Sequence, residues 1–437
     1  MKIFKVILFC FLVVNVQAQV VFHSAEESIE YALKHNKLHQ SEAINTQQSQ
    51  ATRQIKSGAL LPQVKASALA EHYFSLPVQL LPAEIVGGEP GTFRPVRFGL
   101  PYTASGSLNA NWNLFSPGRI NDLKIAKIDE NIAQEQFKLQ ENNLKEDVTI
   151  VWYSLLQAAE NLKIAQENLS SIDTLWQATK HKDALGLVDP LDANRLRILL
   201  RHNQMFVTNA ERTWQNRLDQ FKLTVGVSMD EAIEIKGQLV PETTDEQLGS
   251  LDTFPDDYSV NIYKMMEERR YLELRKSRMD LLPEVSVYGN FTRQAFSESL
   301  DIFSSDALRF NIGVVGLRID MPIFTGMQRK NQIVLADLKN QQASLERQYQ
   351  SQRSLASDKQ LLRDYAAATE NLERATEARE NAQVNYNLAT FKYDGGMYGI
   401  NRLIDIYQEK LQADSQYLEQ MTHYLIAKTK LEIRKHQ

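Results

Sequence analysis

From Leu144 to Trp176 the apolar residues fall at Leu144, Val148, Val151, Leu155, Ala158, Leu162, Ala165, Leu169, Ile172 and Trp176, alternating steps of four and three without a slip. Such steps hold one stripe on one helix face over many turns, so the stretch specifies a coiled-coil helix. The rhythm returns at Leu361, Tyr365, Ala368, Leu372, Ala375, Arg379, Ala382, Tyr386, Ala389 and Tyr393, interrupted only by Arg379. Two long helices organise this chain.

The segments around them repeat. Leu60-Leu61-Pro62-Gln63-Val64 returns as Leu281-Leu282-Pro283-Glu284-Val285, and each motif opens a strand. The first repeat has strands from Val64 to Phe74 and from Tyr102 to Phe115. In the second of these, Tyr102, Ala104, Leu108, Ala110, Trp112 and Leu114 alternate with Thr103, Ser105, Ser107, Asn109, Asn111 and Asn113. Period two gives a strand with one apolar and one polar face. Between the two strands, five prolines and four glycines in Ser75 to Pro101 predict a long loop. In the second repeat the strands run from Val285 to Phe296 and from Leu308 to Phe324.

After Ser116-Pro117-Gly118 a helix runs from about Arg119 to Ala184. It breaks at Leu185-Gly186-Leu187-Val188-Asp189-Pro190 and returns from Leu191 to Val225. Phe324-Thr325-Gly326 starts the equivalent hairpin, which breaks at Gly395-Gly396-Met397-Tyr398-Gly399 and returns from Ile400 to His436. Phe115 and Phe324 stand 209 positions apart, so one strand-strand-helix-helix unit has been duplicated. Helices from Ser24, a suitable N-cap, to Ser57 and from Tyr258 to Leu281 lead into the two strand pairs. The expected organisation is a leader at 1–18, a first repeat at 19–225, an acidic equatorial insertion at 226–257 and a second repeat at 258–437.

Lys2, Lys5, the apolar run Val6 to Val14 and Val16-Gln17-Ala18 form a secretory signal pattern, with cleavage expected after Ala18. Cys10, the only cysteine, would leave with it, and without Lys2 and Lys5 the formal charge moves from −5 to −7. No basic face is concentrated anywhere, which argues against nucleic acid as a partner. There is no phosphate loop, no His-Glu-x-x-His and no Gly-x-Ser-x-Gly, so the expectation is no enzyme, no cofactor and no metal site. His35 and His39 lie four apart near Glu42, but an exposed helix face accounts for them more simply than a ligand pair. Tyr102 and Trp112 fit an aromatic girdle at a membrane surface. The acidic run Asp252 to Asp257 reads as a solvated loop.

Geometry then constrains assembly. Helices of about 66 residues reach on the order of 100 Å. The strands are long enough to cross a bilayer, which takes about 9 to 11 residues. Four strands cannot close into a barrel, and open edges cannot sit in lipid. Two or three chains must therefore pool their strands. The two chain ends are expected to meet beside the acidic insertion.

These features together resemble the TolC-type outer-membrane efflux proteins. The resemblance rests on the paired starts Leu61-Pro62-Gln63-Val64 and Leu282-Pro283-Glu284-Val285, the strand exits Phe115 to Gly118 and Phe324 to Gly326, and the glycine-marked breaks followed by Leu191-Asp192-Ala193 and Leu403-Ile404-Asp405. It implies an α+β membrane protein: a homotrimer with a 12-stranded β-barrel, four strands per chain, in outer-membrane lipid, continued by an α-helical barrel in the periplasm. It also implies a passive exit duct serving a periplasmic adaptor and an inner-membrane transporter. Leu185, Gly186, Leu187, Asp189 and Pro190, with Gly395, Gly396, Met397, Tyr398 and Gly399, fall where the adaptor would make contact. Where some members carry acidic constriction residues, this chain has Asn387 and Thr390, with Asp394 the one acid nearby. The rival expectations are a periplasmic coiled-coil spacer that never enters the membrane and an outer-membrane enzyme or receptor using the 75–101 loop.

Overall fold

The structure, a computed structural model, describes residues 20–185, 188–240, 254–302, 304 and 307–436. The leader with Cys10, the break residues Gly186 and Leu187, and Asp252 of the acidic run lie outside the described residues. The elements are β1 Val20–Phe22, α1 Ala25–His35, α2 Lys37–Gly58, β2 Gln63–His72, β3 Val78–Pro82, β4 Phe93–Arg97, β5 Tyr102–Phe115, α3 Pro117–Ala184, α4 Pro190–Val225, β6 Ile233–Ile235, α5 Tyr258–Met279, β7 Glu284–Ser297, β8 Leu308–Asp320, α6 Gln328–Asp394 and α7 Ile400–Lys435. They form two compact units, each taking segments from both sequence repeats.

The unit within 45–134 and 262–349 is built on an antiparallel four-stranded sheet in the order β2-β5-β7-β8. The central pair joins the two repeats, with Tyr102 opposite Ser297, Leu108 opposite Phe291 and Trp112 opposite Val287. Cross-strand partners share a face. One face therefore collects Val64, Ala66, Leu108, Ala110, Trp112, Val285, Val287, Phe291, Val315, Leu317 and Ile319. These apolar residues are largely uncovered, Val64 at 70% and Val315 at 81% exposure. The opposite face carries a polar network: the Ser67 and Ser107 hydroxyls meet at 2.7 Å, and Asn290 Nδ2 donates to Asn109 Oδ1 at 2.6 Å. Near the loops that polar face turns apolar at Phe296, Leu308, Phe310 and Ile312.

The 75–101 stretch, expected as a loop, contains a hairpin: β3 pairs with β4, joined through a 3-10 turn at Ala83–Val86. Ala83 N donates to Thr92 O at 2.8 Å, so in this register the nitrogens of Pro82 and Pro95 face away from the partner strand and cost it no ladder bonds. β8 stops at Asp320 and not at Phe324, because Pro322 has no N–H to continue the ladder. The helices of this unit are tied by ion pairs, Lys276 to Asp122 and Arg269 to Asp129, both at 2.6 Å.

The second unit, within 20–44, 135–261 and 350–436, holds the heptad seams. Leu144, Val148, Val151 and Leu155 are buried with Tyr365, Ala368, Leu372, Met421, Tyr424 and Leu425 in one core. Ile172, Leu196, Leu199, Leu200, Ala389, Ile400, Leu403, Ile406 and Tyr407 form another. The interrupting Arg379 has a built partner: its Nε donates to Asp414 Oδ1 at 3.0 Å, and its guanidinium lies 4.4 Å from the Tyr417 ring centre. Asp414 is only 5% exposed and also accepts from Lys410 Nζ at 2.8 Å, so the buried charge is paired on both sides.

The single helix expected from Ser24 to Ser57 is two. Ser24 does cap α1, its hydroxyl accepting from Glu27 N at 3.2 Å, but the chain leaves helical geometry at Asn36. Asn36 bonds Thr224 O through Nδ2 at 2.8 Å and accepts from His39 N at 2.9 Å, so its side chain ends one helix and starts the next. Gly226 fits against this break. It has φ +85°, and a Cβ there would lie 2.6 Å from His35 O and 2.9 Å from Asn36 N. Gly226→Ala should destabilise the unit by about 1 to 3 kcal/mol from backbone conformation alone, with the clash adding to it because neither contact is a side chain that can swing away; a shift of the urea midpoint checks it.

The 226–257 segment holds a strand that the sequence did not announce: β6 pairs in parallel with β1, with Phe22 opposite Ile235. At the other chain end, Arg434 Nη1 donates to Pro255 O at 2.9 Å. Both ends of the described chain thus meet this segment.

Candidate partner-contact tips

The first tip lies between α3 and α4. Leu185 is exposed, and Asp189 caps α4 by accepting from Leu191 N at 2.8 Å, with Pro190 at the first helical position, where a missing N–H costs nothing. The second tip closes on one carbonyl, Lys392 O, which accepts from Met397 N at 2.8 Å and Tyr398 N at 3.2 Å. Gly396 sits between them at φ +71°, the left-handed geometry that ends helices. A Cβ on Gly396 would meet nothing within 4 Å, so its surroundings are open.

Gly399 then starts α7. Met397 is exposed, while Tyr398 is half-buried on the second core, and Lys392 Nζ lies 5.0 Å from its ring centre. The two tips are held side by side: Arg195 on the first turns of α4 donates to Asn401 Oδ1 on the first turn of α7, and Leu196 packs in one cluster with Ile400 and Leu403. Sequence spacing had marked each tip separately. Their joining depends on Arg195 and Asn401, which no periodicity singles out.

Asn387, Thr390 and Asp394 lie at steps of three and four, on one stripe of α6. Asn387 is exposed and accepts from Gln383 Nε2 at 2.8 Å, Thr390 Oγ1 donates to Tyr386 O at 2.9 Å, and Asp394 is exposed. The stripe is one of amides and hydroxyls with a single carboxylate. Just above the tips, burial pushes the phenol of Tyr407 well above its ordinary range. Tyr407 keeps its proton and donates it to Asn203 Oδ1 at 2.8 Å.

The other residues considered from the sequence are dispersed. His35 bonds Tyr31 O from α1, whereas His39 sits on α2 stacked 4.8 Å from Phe137. Among the described residues no cluster of three His, Cys, Asp or Glu could hold a metal. Tyr102 stacks on His72 at 4.4 Å, and Trp112 Nε1 donates to Leu60 O at 3.1 Å near the other end of the same strand face. No described helix is long and apolar enough to cross a membrane.

The sequence profile of the outer membrane efflux protein family matches residues 28–227. The toluene efflux pump outer membrane protein TtgF of Pseudomonas putida is 23% identical over 416 residues, covering 93% of this chain and 81% of the relative. The probable efflux pump outer membrane protein SepC, from another strain of the same species, matches to the same extent. Among solved structures, the Campylobacter jejuni CmeC outer membrane channel superposes with a TM-score of 0.78 at 15% identity, over 94% of this chain and 85% of that one.

Proposed function

We propose that this chain, a member of the outer membrane efflux protein family, is the outer-membrane exit duct of a tripartite efflux or secretion system. Three copies pool their strands into one 12-stranded barrel, and their helical hairpins form a periplasmic tunnel. The duct performs no chemistry and uses no energy of its own. An adaptor engages the paired tips and, with the inner-membrane transporter, spreads them to open the passage.

The observation that carries this reading is the sheet of β2, β5, β7 and β8. It has one uncovered apolar face, one hydrogen-bonded polar face and two unpaired edges. In water the apolar face would aggregate, and in lipid the edges would leave backbone groups unsatisfied. Lipid on one side, water on the other and strands from neighbouring chains at the edges resolve both difficulties. A periplasmic spacer has no use for such a sheet.

The tips supply the functional test. Gly396→Leu places a bulky group into open space at a strained backbone position, at a local cost of about 1 to 2 kcal/mol, which the packed core nearby can absorb. Efflux of a pump substrate from cells should fall several-fold while the protein still reaches the outer membrane as a trimer. Gly396→Asn, which tolerates the left-handed geometry, should retain more activity. Unchanged efflux in the Leu variant overturns the assignment of the tips to the adaptor.

A further inference from the structure

The outward, apolar face of the sheet changes character towards the loops. Its rows, read across β2, β5, β7 and β8, run Ala66-Leu108-Phe291-Gly313, then Ala68-Gly106-Arg293-Asn311, then Ala70-Ala104-Ala295-Arg309. Two arginines thus stand on the face that the proposed function turns to lipid. They border a cavity of about 600 Å³ floored by Ala68, Ala70, Ala104, Gly106 and Ala295 and bounded by Ile302 of the β7–β8 loop.

Their depth follows from strand geometry. Arg293 lies eight residues beyond Val285. At ~3.3 Å per residue and a tilt near 40° that is roughly 20 Å along the membrane normal, and Arg309 lies about 5 Å further. The apolar band of such barrels is about 25 Å tall, so both guanidiniums reach the headgroup level of the leaflet on the loop side. The loops lie at the strand ends away from α3 and α5, hence on the outer side. At that level the penalty for an arginine on the lipid face falls to about 0 to 1 kcal/mol, so both can be held there beside anionic headgroups.

Arg309 is already oriented, its Nη2 donating to Ser304 O at 2.8 Å. Arg293 is exposed, and among the described residues nothing pairs with it. Guanidinium matches phosphate bidentately, and small side chains beside it leave room for the bulk attached to that phosphate.

We infer that Arg293 and Arg309 form a binding site for the phosphate group of an outer-leaflet lipid, whose adjoining bulk lies in the alanine and glycine trough between β2 and β7. The site rests on the outer-membrane reading. It would fasten the barrel to phosphorylated lipid on its outer side.

The test uses the full chain extracted in detergent from outer membranes, wild type and the Arg293→Gln/Arg309→Gln double variant. Each is titrated with lipid A, with dephosphorylated lipid A and with inorganic phosphate, following the thermal midpoint and bound lipid by native mass spectrometry. Loss of two charge-assisted contacts should weaken lipid A binding about tenfold or more. The dephosphorylated lipid should bind both proteins alike and weakly. Equal lipid A affinity in the two proteins overturns the site, and stabilisation by inorganic phosphate as strong as by lipid A overturns the lipid as its ligand. Recovery of both proteins from the membrane fraction as trimers separates these outcomes from failure of the duct reading, in which the wild type itself would not be found there.

Discussion

Trp152→Ala should cost about 3 to 5 kcal/mol of stability, among the largest effects of any single substitution in this chain. The indole is 2% exposed, lies 5.7 Å from the Phe221 ring and shares its core with Val148, Leu155 and Val225. It also touches the insertion: a Cβ built on Gly237 would run into the ring, so that backbone already rests on it. Removing the ring therefore empties a cavity walled by two helices and the segment carrying β6, and a wall made of separate elements cannot collapse as one piece. The urea midpoint of the purified protein measures the loss. Trp152→Phe, which keeps part of the ring, should lose substantially less.

Arg434→Met should be of similar size for an electrostatic reason. Arg434 is 8% exposed, grips Asp358 with Nε at 2.8 Å and Nη2 at 3.0 Å, and places its guanidinium 5.2 Å from the Phe254 ring centre. Taking away the arginine strands a carboxylate whose side chain is 14% exposed, and breaking such a pair costs about 3 to 5 kcal/mol. Replacing both partners, Arg434→Met with Asp358→Leu, should recover much of the loss, because no uncompensated charge remains. A double-mutant cycle on thermal or urea unfolding checks this. Additive losses would contradict the pairing.

The sequence made legible what is periodic. The seam at Leu144, Val148, Val151 and Leu155 is buried as spaced, and the alternation from Tyr102 to Leu114 became a two-faced strand. Trp152 escaped notice because a seam describes one face of a helix, whereas α3 packs on more than one side here. The α1–α2 break was hidden because Asn36 looks like any polar residue on a helix face. Its role depends on Thr224 O, 188 residues away. β1 and β6 are three residues each, too short for an alternation to register. Arg379 was visible as an interruption, but only the packed structure supplies Asp414. The tips were marked by glycine and proline, which act locally, while the contact that joins them is long-range.

In the proposed assembly several chains close one barrel in the outer membrane. It is tested most directly by the mass of the protein extracted from outer membranes in mild detergent. The expected result is a particle of three chains, each of up to 50.0 kDa. A monomer in that extract, or recovery of the chain in the soluble periplasm, would contradict it.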